Sequence, residues 1–135
     1  MKSFKDYLEG GVVKRRFDNK SKALKEESMN KFFFLEQTAA LLSEQNANTF
    51  VELTYDAIML LLRAKLSEAG YKAQGLGAHE AEIAFFEDAL EKKELAMLDK
   101  LRYYRNGSVY YGEKLTEGYA KKVIAFAKEI KEKLV

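Results

Sequence analysis

Between Asn48 and Ala69 the chain is apolar around so much of a helical circumference that one neighbouring element could not cover it. Phe50, Leu53, Ala57, Leu61 and Ala64 recur at three- and four-residue steps and define one face. Ile58, Leu62 and Tyr55 broaden it. A helix this widely apolar must be buried on several sides, so the spacing predicts a central helix, ended by Gly70. The rest of the sequence supplies its neighbours. Upstream, Asp18 or Asn19 is a plausible cap for a long helix reaching about Ser43, with Leu24, Ser28, Phe32, Leu35, Ala39 and Leu42 inward. Phe33 and Phe34 make that stripe wider than one core needs, leaving surface for another element or a second subunit. Before it, Ser3 to Glu9 reads as a short helix ending at Gly10-Gly11, with Val12-Val13 extended or in a turn. Downstream, His79 opens a third helix carrying Ile83, Phe86 and Leu90, and a fourth runs from about Glu94 to Arg105. Thr116 caps a last helix with Tyr119, Val123, Phe126, Ala127, Ile130 and Leu134 on one side. Short connections between these segments imply an all-α fold. The expected architecture is an up-and-down four-helix bundle with one or two extra short helices, forming a single domain over residues 1–135.

The chain has no proline and no cysteine, while 47% of its residues are hydrophobic and 33% are charged. That composition fits a soluble helical protein and excludes disulfides and cysteine-ligated metal. The opening MKSFKDYLEGG has no apolar signal-like core, and IMLLL is followed at once by Arg63. No run approaches the roughly 18 apolar residues of a spanning helix, so no membrane partner is expected and the cytoplasm is the expected location. A net charge of +2 does not mark the whole chain as a nucleic-acid binder. Lys14, Arg15 and Arg16 form a local basic patch with Lys20, Lys22 and Lys25 beyond it. A solvated face is the commoner fate of such a patch, and RNA contact the less common one.

The run LDKLRYYRNGSVYYG, Leu98 to Gly112, holds the strongest candidate chemistry. Leu98, Leu101, Arg102 and Arg105 share one helical face, so two apolar residues and two guanidinium groups point the same way. Asn106 and Gly107 both tolerate the left-handed conformation of a helix stop, which predicts that the helix ends there. Permanently charged, forked Arg102 and Arg105, an amide at Asn106, and the phenols of Tyr110 and Tyr111 suit a phosphate or carboxylate ligand. They suit an internal arrangement equally well, with the arginines paired to acids such as Asp56 or Glu113 and the tyrosines packing a helix joint. For Tyr103 and Tyr104 packing is the expected role. Asp56 lies among apolar neighbours, where an unpaired acid is costly, and an arginine of the fourth helix is its expected partner.

This run resembles the signature of the HEPN superfamily, small helical domains with an Arg, usually followed by Asn, and a His four to six positions later. Arg105-Asn106 matches the first half, whereas Val109, Tyr110 and Tyr111 stand at the positions open to the His. The likeness extends to Val51–Leu90, similar to the family's second and third helices, and to Tyr7–Ser28, similar to the start of archaeal-type members. What the resemblance implies is a domain that pairs across a two-fold axis as a homodimer. It implies a minimal nucleotidyltransferase as partner, in toxin–antitoxin or stress systems. It also implies, for active members, metal-independent RNA cleavage in which Arg steadies charge on phosphate and His moves protons. A phenol of pKa about 10 is ionised in roughly one molecule in a thousand at pH 7, so Tyr110 or Tyr111 is a poor substitute base. The expectation is therefore an anion-binding module with degenerate catalysis and no cofactor. The alternative is an RNA endonuclease using Arg105 with Tyr110 or Tyr111. RNA or a nucleotide is the expected small partner.

Other features carry less. Gly70, Gly75 and Gly77 bracket GYKAQGLGA, but no strand is expected before them and the spacing is weak evidence for nucleotide binding. His79 is the only histidine, and a buried or capping role is expected in preference to metal binding or catalysis. Glu82, Glu87 and Asp88 lack the companion helix that a carboxylate-bridged metal site requires, so no metal is expected.

Overall fold

A computed structural model describes residues 2–135, with side chains described for all of these except 106–111. The chain is mostly helical. In order it forms α1 (Phe4–Glu9), β1 (Val13–Arg15), α2 (Ser21–Thr38), a 3₁₀ turn (Ala39–Leu41), α3 (Ala47–Glu68), β2 (Tyr71–Ala73), α4 (Ala78–Ala84), α5 (Lys92–Tyr111) and α6 (Glu117–Leu134). Among the described residues no helix is long and apolar enough to cross a membrane.

Local chemistry sets several of these boundaries. The Ser3 hydroxyl accepts the Asp6 N–H at 3.2 Å while the Asp6 carboxylate accepts the Ser3 N–H at 3.1 Å, a reciprocal cap that starts α1. The Thr116 hydroxyl accepts the Tyr119 N–H and starts α6, as its sequence predicts. Gly70, at φ +89°, ends α3 in the left-handed region that favours glycine.

Four expectations are corrected. Asp18 and Asn19 do not cap α2, which begins at Ser21. Asp18 instead accepts the Lys20 N–H at 3.0 Å and the Ser67 hydroxyl at 2.8 Å, tying the approach to α2 onto the end of α3. At its other end α2 stops at Thr38, whose hydroxyl donates to the Phe34 carbonyl, and the chain tightens into the 3₁₀ turn with Ala39 exposed. The third helix is only seven residues long, and Phe86 and Leu90 reach the core on turns. Finally, α5 passes through Asn106-Gly107 and ends at Tyr111, before Gly112 at φ +67°. Glycine within a helix costs about 1 kcal/mol against alanine, a preference that a long helix can override.

A small antiparallel ribbon was not expected at all. β1 pairs with β2 in the register Val13↔Ala73, Lys14↔Lys72 and Arg15↔Tyr71. One of its faces packs on α1 and α4, where Val13, Tyr7, Ala81 and Ala84 are buried together beside Phe4 and Tyr71.

The main core is built around α3, as its breadth predicts. Tyr55, Ala57, Ile58, Leu61 and Leu62 are essentially inaccessible, and α2, α4, α5 and α6 all pack against this helix. The Ser28 hydroxyl donates to the Ala57 carbonyl at 2.7 Å, and both residues are fully buried, so α2 approaches α3 closely. Leu98 and Leu101 from α5, and Val123, Ala127 and Ile130 from α6, complete the cluster. Phe33 and Phe34 remain 59% and 50% exposed, so the surplus aromatic surface of α2 is not used by this core.

Glu94 gives the fold a pH dependence. Its carboxylate is 4% exposed and accepts from Lys133 Nζ at 2.7 Å and from the Glu91 N–H at 2.9 Å, pinning the start of α5 to the end of α6. Burial pushes this carboxyl up, but the lysine and the N–H outweigh it and hold the group below the ordinary glutamate value. A depressed folded-state pKa contributes stability that is present above the unfolded-state value and is lost as pH falls through the folded one. Urea denaturation between pH 3 and pH 7 is expected to show that acid loss, and Glu94→Gln is expected to flatten it. An unchanged acid limb in the variant would contradict this role.

Candidate functional site

α5 carries its two arginines at a seam with α3 and α4. Leu98 and Leu101 anchor the helix in the core, which leaves Arg102 and Arg105, one turn apart on the same side, at the edge of the packed region. Their side chains are 27% and 33% exposed. They are neither sealed in nor free.

Each meets acids of the same chain. Asp99 Oδ1 accepts from Arg102 Nε and lies 3.0 Å from both Nε and Nη2, while Glu80 Oε1 lies 3.8 Å from Nη1. Arg105 Nε lies 3.6 Å from Asp56 Oδ1, which is the expected partnership between Asp56 and a fourth-helix arginine. Glu80 also accepts from the Tyr7 hydroxyl at 3.4 Å. Burial, then the nearby Glu80, raises that phenol above its ordinary value. The acids at the seam are therefore Asp56, Asp99 and Glu80, of which the sequence singled out only Asp56. Asp99 carried a readable signal, since it lies three residues before Arg102 on one helix. Glu80 did not, because periodicity does not say which helices touch.

Two further groups join the seam from elsewhere. The Tyr55 hydroxyl is hydrogen-bonded to His79 Nδ1 at 3.3 Å. Tyr55 is 1% exposed, and burial drives its phenol far above the ordinary value even though the charge of Arg102 opposes this. Tyr55 is thus a proton-bearing group and not a base. His79 is exposed at the start of α4 and corrects the expectation of a buried or capping role. Its ring is hydrogen-bonded to a phenol that feels the charge of Arg102.

The side chains of Asn106, Tyr110 and Tyr111, the other sequence-predicted site residues, lie outside the described residues. Tyr104 packs edge-on against Tyr119 of α6 with ring centres 5.4 Å apart, the packing role expected of it. Tyr103 contacts Tyr104 but is 62% exposed.

On its other side His79 lines a cleft of about 540 Å³ between the end of α3, β2, the start of α4 and the approach to α2. Lys20, Ser67, Lys72 and Gln74 are at its walls, with Leu24 and Leu66 adding apolar surface. Within it, Arg63 forks onto Glu82, Nε to Oε2 at 2.6 Å and Nη2 to Oε1 at 3.2 Å. Glu82 is 2% exposed, so this is an acid held inside the protein by one guanidinium. Among the described residues no three histidine or carboxylate side chains converge as a metal site.

No family model, curated protein or solved structure matches this chain.

Proposed function

We propose that the chain is a HEPN-like helical interaction and anion-binding module, with α2, α3, α5 and α6 as an up-and-down four-helix bundle and α1 and α4 as its extra helices. It acts as a homodimer beside a minimal nucleotidyltransferase in a toxin–antitoxin or stress system, in the cytoplasm, and its catalysis is degenerate. The observation that carries this reading is the half-open arginine pair on α5. Arg102 and Arg105 keep about a third of their side-chain surface in solvent, which an internal salt bridge alone does not require. Their forked donors suit phosphate oxygens.

Charge decides how such a site works. Asp56, Asp99 and Glu80 balance the two cations at rest, so an anion binds by exchange with a carboxylate. Asp56 is the readiest to yield, because exposed ion pairs at such distances contribute about 0–1 kcal/mol. Asp56→Asn is expected to leave the fold intact and to tighten binding of inorganic pyrophosphate, while Arg105→Ala abolishes it. Isothermal titration on both variants checks this, and equal affinities in wild type and Asp56→Asn would remove the exchange.

One observation favours a second reading, a metal-independent RNA endonuclease. His79 is hydrogen-bonded to Tyr55, which feels the charge of Arg102, and so links an imidazole of another helix to this site, where the 98–112 run itself offers only tyrosines. Purified protein incubated with mixed RNA separates the readings. Cleavage that is lost in both Arg105→Ala and His79→Ala supports the enzyme. Cleavage that survives His79→Ala and rises toward alkaline pH assigns the proton step to Tyr110 or Tyr111. Absence of cleavage at every pH supports the module.

A further inference from the structure

Positive charge is unevenly distributed along this chain. Six of the twelve residues from Lys14 to Lys25 are lysine or arginine and Asp18 is the single acid, although the whole chain carries only +2. The remainder is therefore net acidic. Such asymmetry points to a polyanionic partner for the basic part.

The fold concentrates this charge further. The ribbon register sets Lys14 directly across from Lys72, on the face opposite the one that buries Val13 and stacks Arg15 on Tyr71. Like charges facing each other across strands are destabilising, so folding alone gives no reason for the pair. Lys72 and Lys20 both line the 540 Å³ cleft next to the ribbon. The one acid of this run, Asp18, is exposed and also lines the cleft, but its Oδ1 is engaged by the Lys20 N–H and the Ser67 hydroxyl.

An aromatic ring stands among these cations. Phe17 is 83% exposed, yet it is seated, since a Cβ at Gly70 would fall 2.6 Å from its ring. The neighbouring Arg16 N–H donates to the Gly70 carbonyl at 2.8 Å and fixes the backbone that presents the ring. A large apolar ring kept in water within a run of cations, directly after Arg16, serves no core. A charged track together with an exposed ring is the combination that holds unpaired bases, whose flat faces stack while their phosphates are neutralised. Strands of three residues are too short to fill a duplex groove, whereas a cleft of this size admits a single base.

We propose that the β1–β2 ribbon and the adjoining cleft bind single-stranded nucleic acid, with Lys14, Arg16, Lys20 and Lys72 on the phosphodiester backbone and Phe17 stacked on a base. This surface is separate from the arginine pair of α5 and does not depend on the reading given to that pair. His79 lines the cleft and is hydrogen-bonded to the buried Tyr55 behind it.

Fluorescence anisotropy with labelled 20-nucleotide uridine and thymidine strands, across a range of salt, tests the proposal on the whole chain. Wild-type protein is expected to bind with affinity that falls steeply as salt rises. The triple variant Arg16→Ala, Lys20→Ala, Lys72→Ala should weaken binding at least tenfold and reduce the logarithmic salt slope by about 2, as losing three phosphate contacts on a single strand predicts. Phe17→Ala should weaken it by about tenfold and Phe17→Trp should restore it. Circular dichroism on each variant verifies the fold, and the exposed Phe17 can change without disturbing it. Binding to either strand supports the proposal, and their ratio reports whether a 2′-hydroxyl is read. Arg102→Ala with Arg105→Ala should leave this binding within a few-fold. Loss of binding in that pair with full binding in the triple variant would overturn the proposal and move the contact to α5. Equal affinity for a duplex, an unaltered Phe17→Ala, or binding to phosphatidylserine vesicles without binding to either strand would overturn it as well.

Discussion

Arg63→Ala is expected to destabilise the protein by about 2–4 kcal/mol, somewhat less than removing one partner of a fully buried ion pair, because the Arg63 side chain is itself 38% exposed. The reason is Glu82. Its carboxylate is 2% exposed and held by the Arg63 fork, so truncating the arginine leaves a charge inside the protein with its main partner gone. The effect comes from the orphaned acid and not from the strength of the bridge. Two further variants separate these causes. Glu82→Gln with Arg63 intact keeps most of the packing and should cost much less, and the double change Arg63→Met, Glu82→Leu should recover much of the loss. Urea denaturation of the three proteins measures this. A single Arg63→Ala variant within about 1 kcal/mol of wild type would show that water reaches Glu82 freely. The same substitution is expected to deform the cleft wall, so it is a poor probe of nucleic-acid binding.

Leu101→Ala should cost about 2–5 kcal/mol, the sum of lost apolar transfer and an unfilled cavity. Leu101 is fully buried on α5, one residue before Arg102 and a turn before Arg105. It therefore does two things, filling the core against α3 and fixing the angle at which the arginine face meets α4. A cavity beneath that face loosens Arg102 from Asp99 and Glu80 along with the helix. Thermal unfolding should fall by roughly 10 °C or more for a chain of this length. Leu101→Met nearly conserves volume and should cost under about 1.5 kcal/mol. If Leu101→Ala left the melting temperature within 2 °C of wild type, α5 would not be docked as described.

What the sequence made legible follows from what periodicity and capping encode. The breadth of the Asn48–Ala69 stripe was enough to place its helix at the centre, and the cap at Thr116 and the stop at Gly70 are local events that need no knowledge of neighbours. Asp56 was assigned an arginine from its apolar neighbours in sequence, and the pair does form, although at the edge of the core, where the Asp56 side chain is 40% exposed. The ribbon was illegible for the opposite reason. Three residues give no alternation to detect, and pairing Val13 with Ala73 is a fact about chain segments some sixty residues apart. The partnership of Arg63 with Glu82, and the approach of His79 to Tyr55, belong to the same class, since they depend on which faces α3 and α4 turn to each other. The end of α5 misled because Asn-Gly is a stop signal only when one of its residues turns left-handed. Here Gly112 takes that conformation. Of the candidate site, the two arginines on one face were visible in advance and most of their surrounding acids were not.

The ribbon has one more consequence. With only two strands, each has an unpaired edge, and an exposed edge is a template on which further copies can add strands. Three residues make a poor template, and any copy aligning along β1 or β2 would bring its own Lys14, Arg15 or Lys72 against the same charges. A mostly helical protein thus carries a β-element that resists seeding aggregates, and the lysine pair that weakens the ribbon also keeps it solitary.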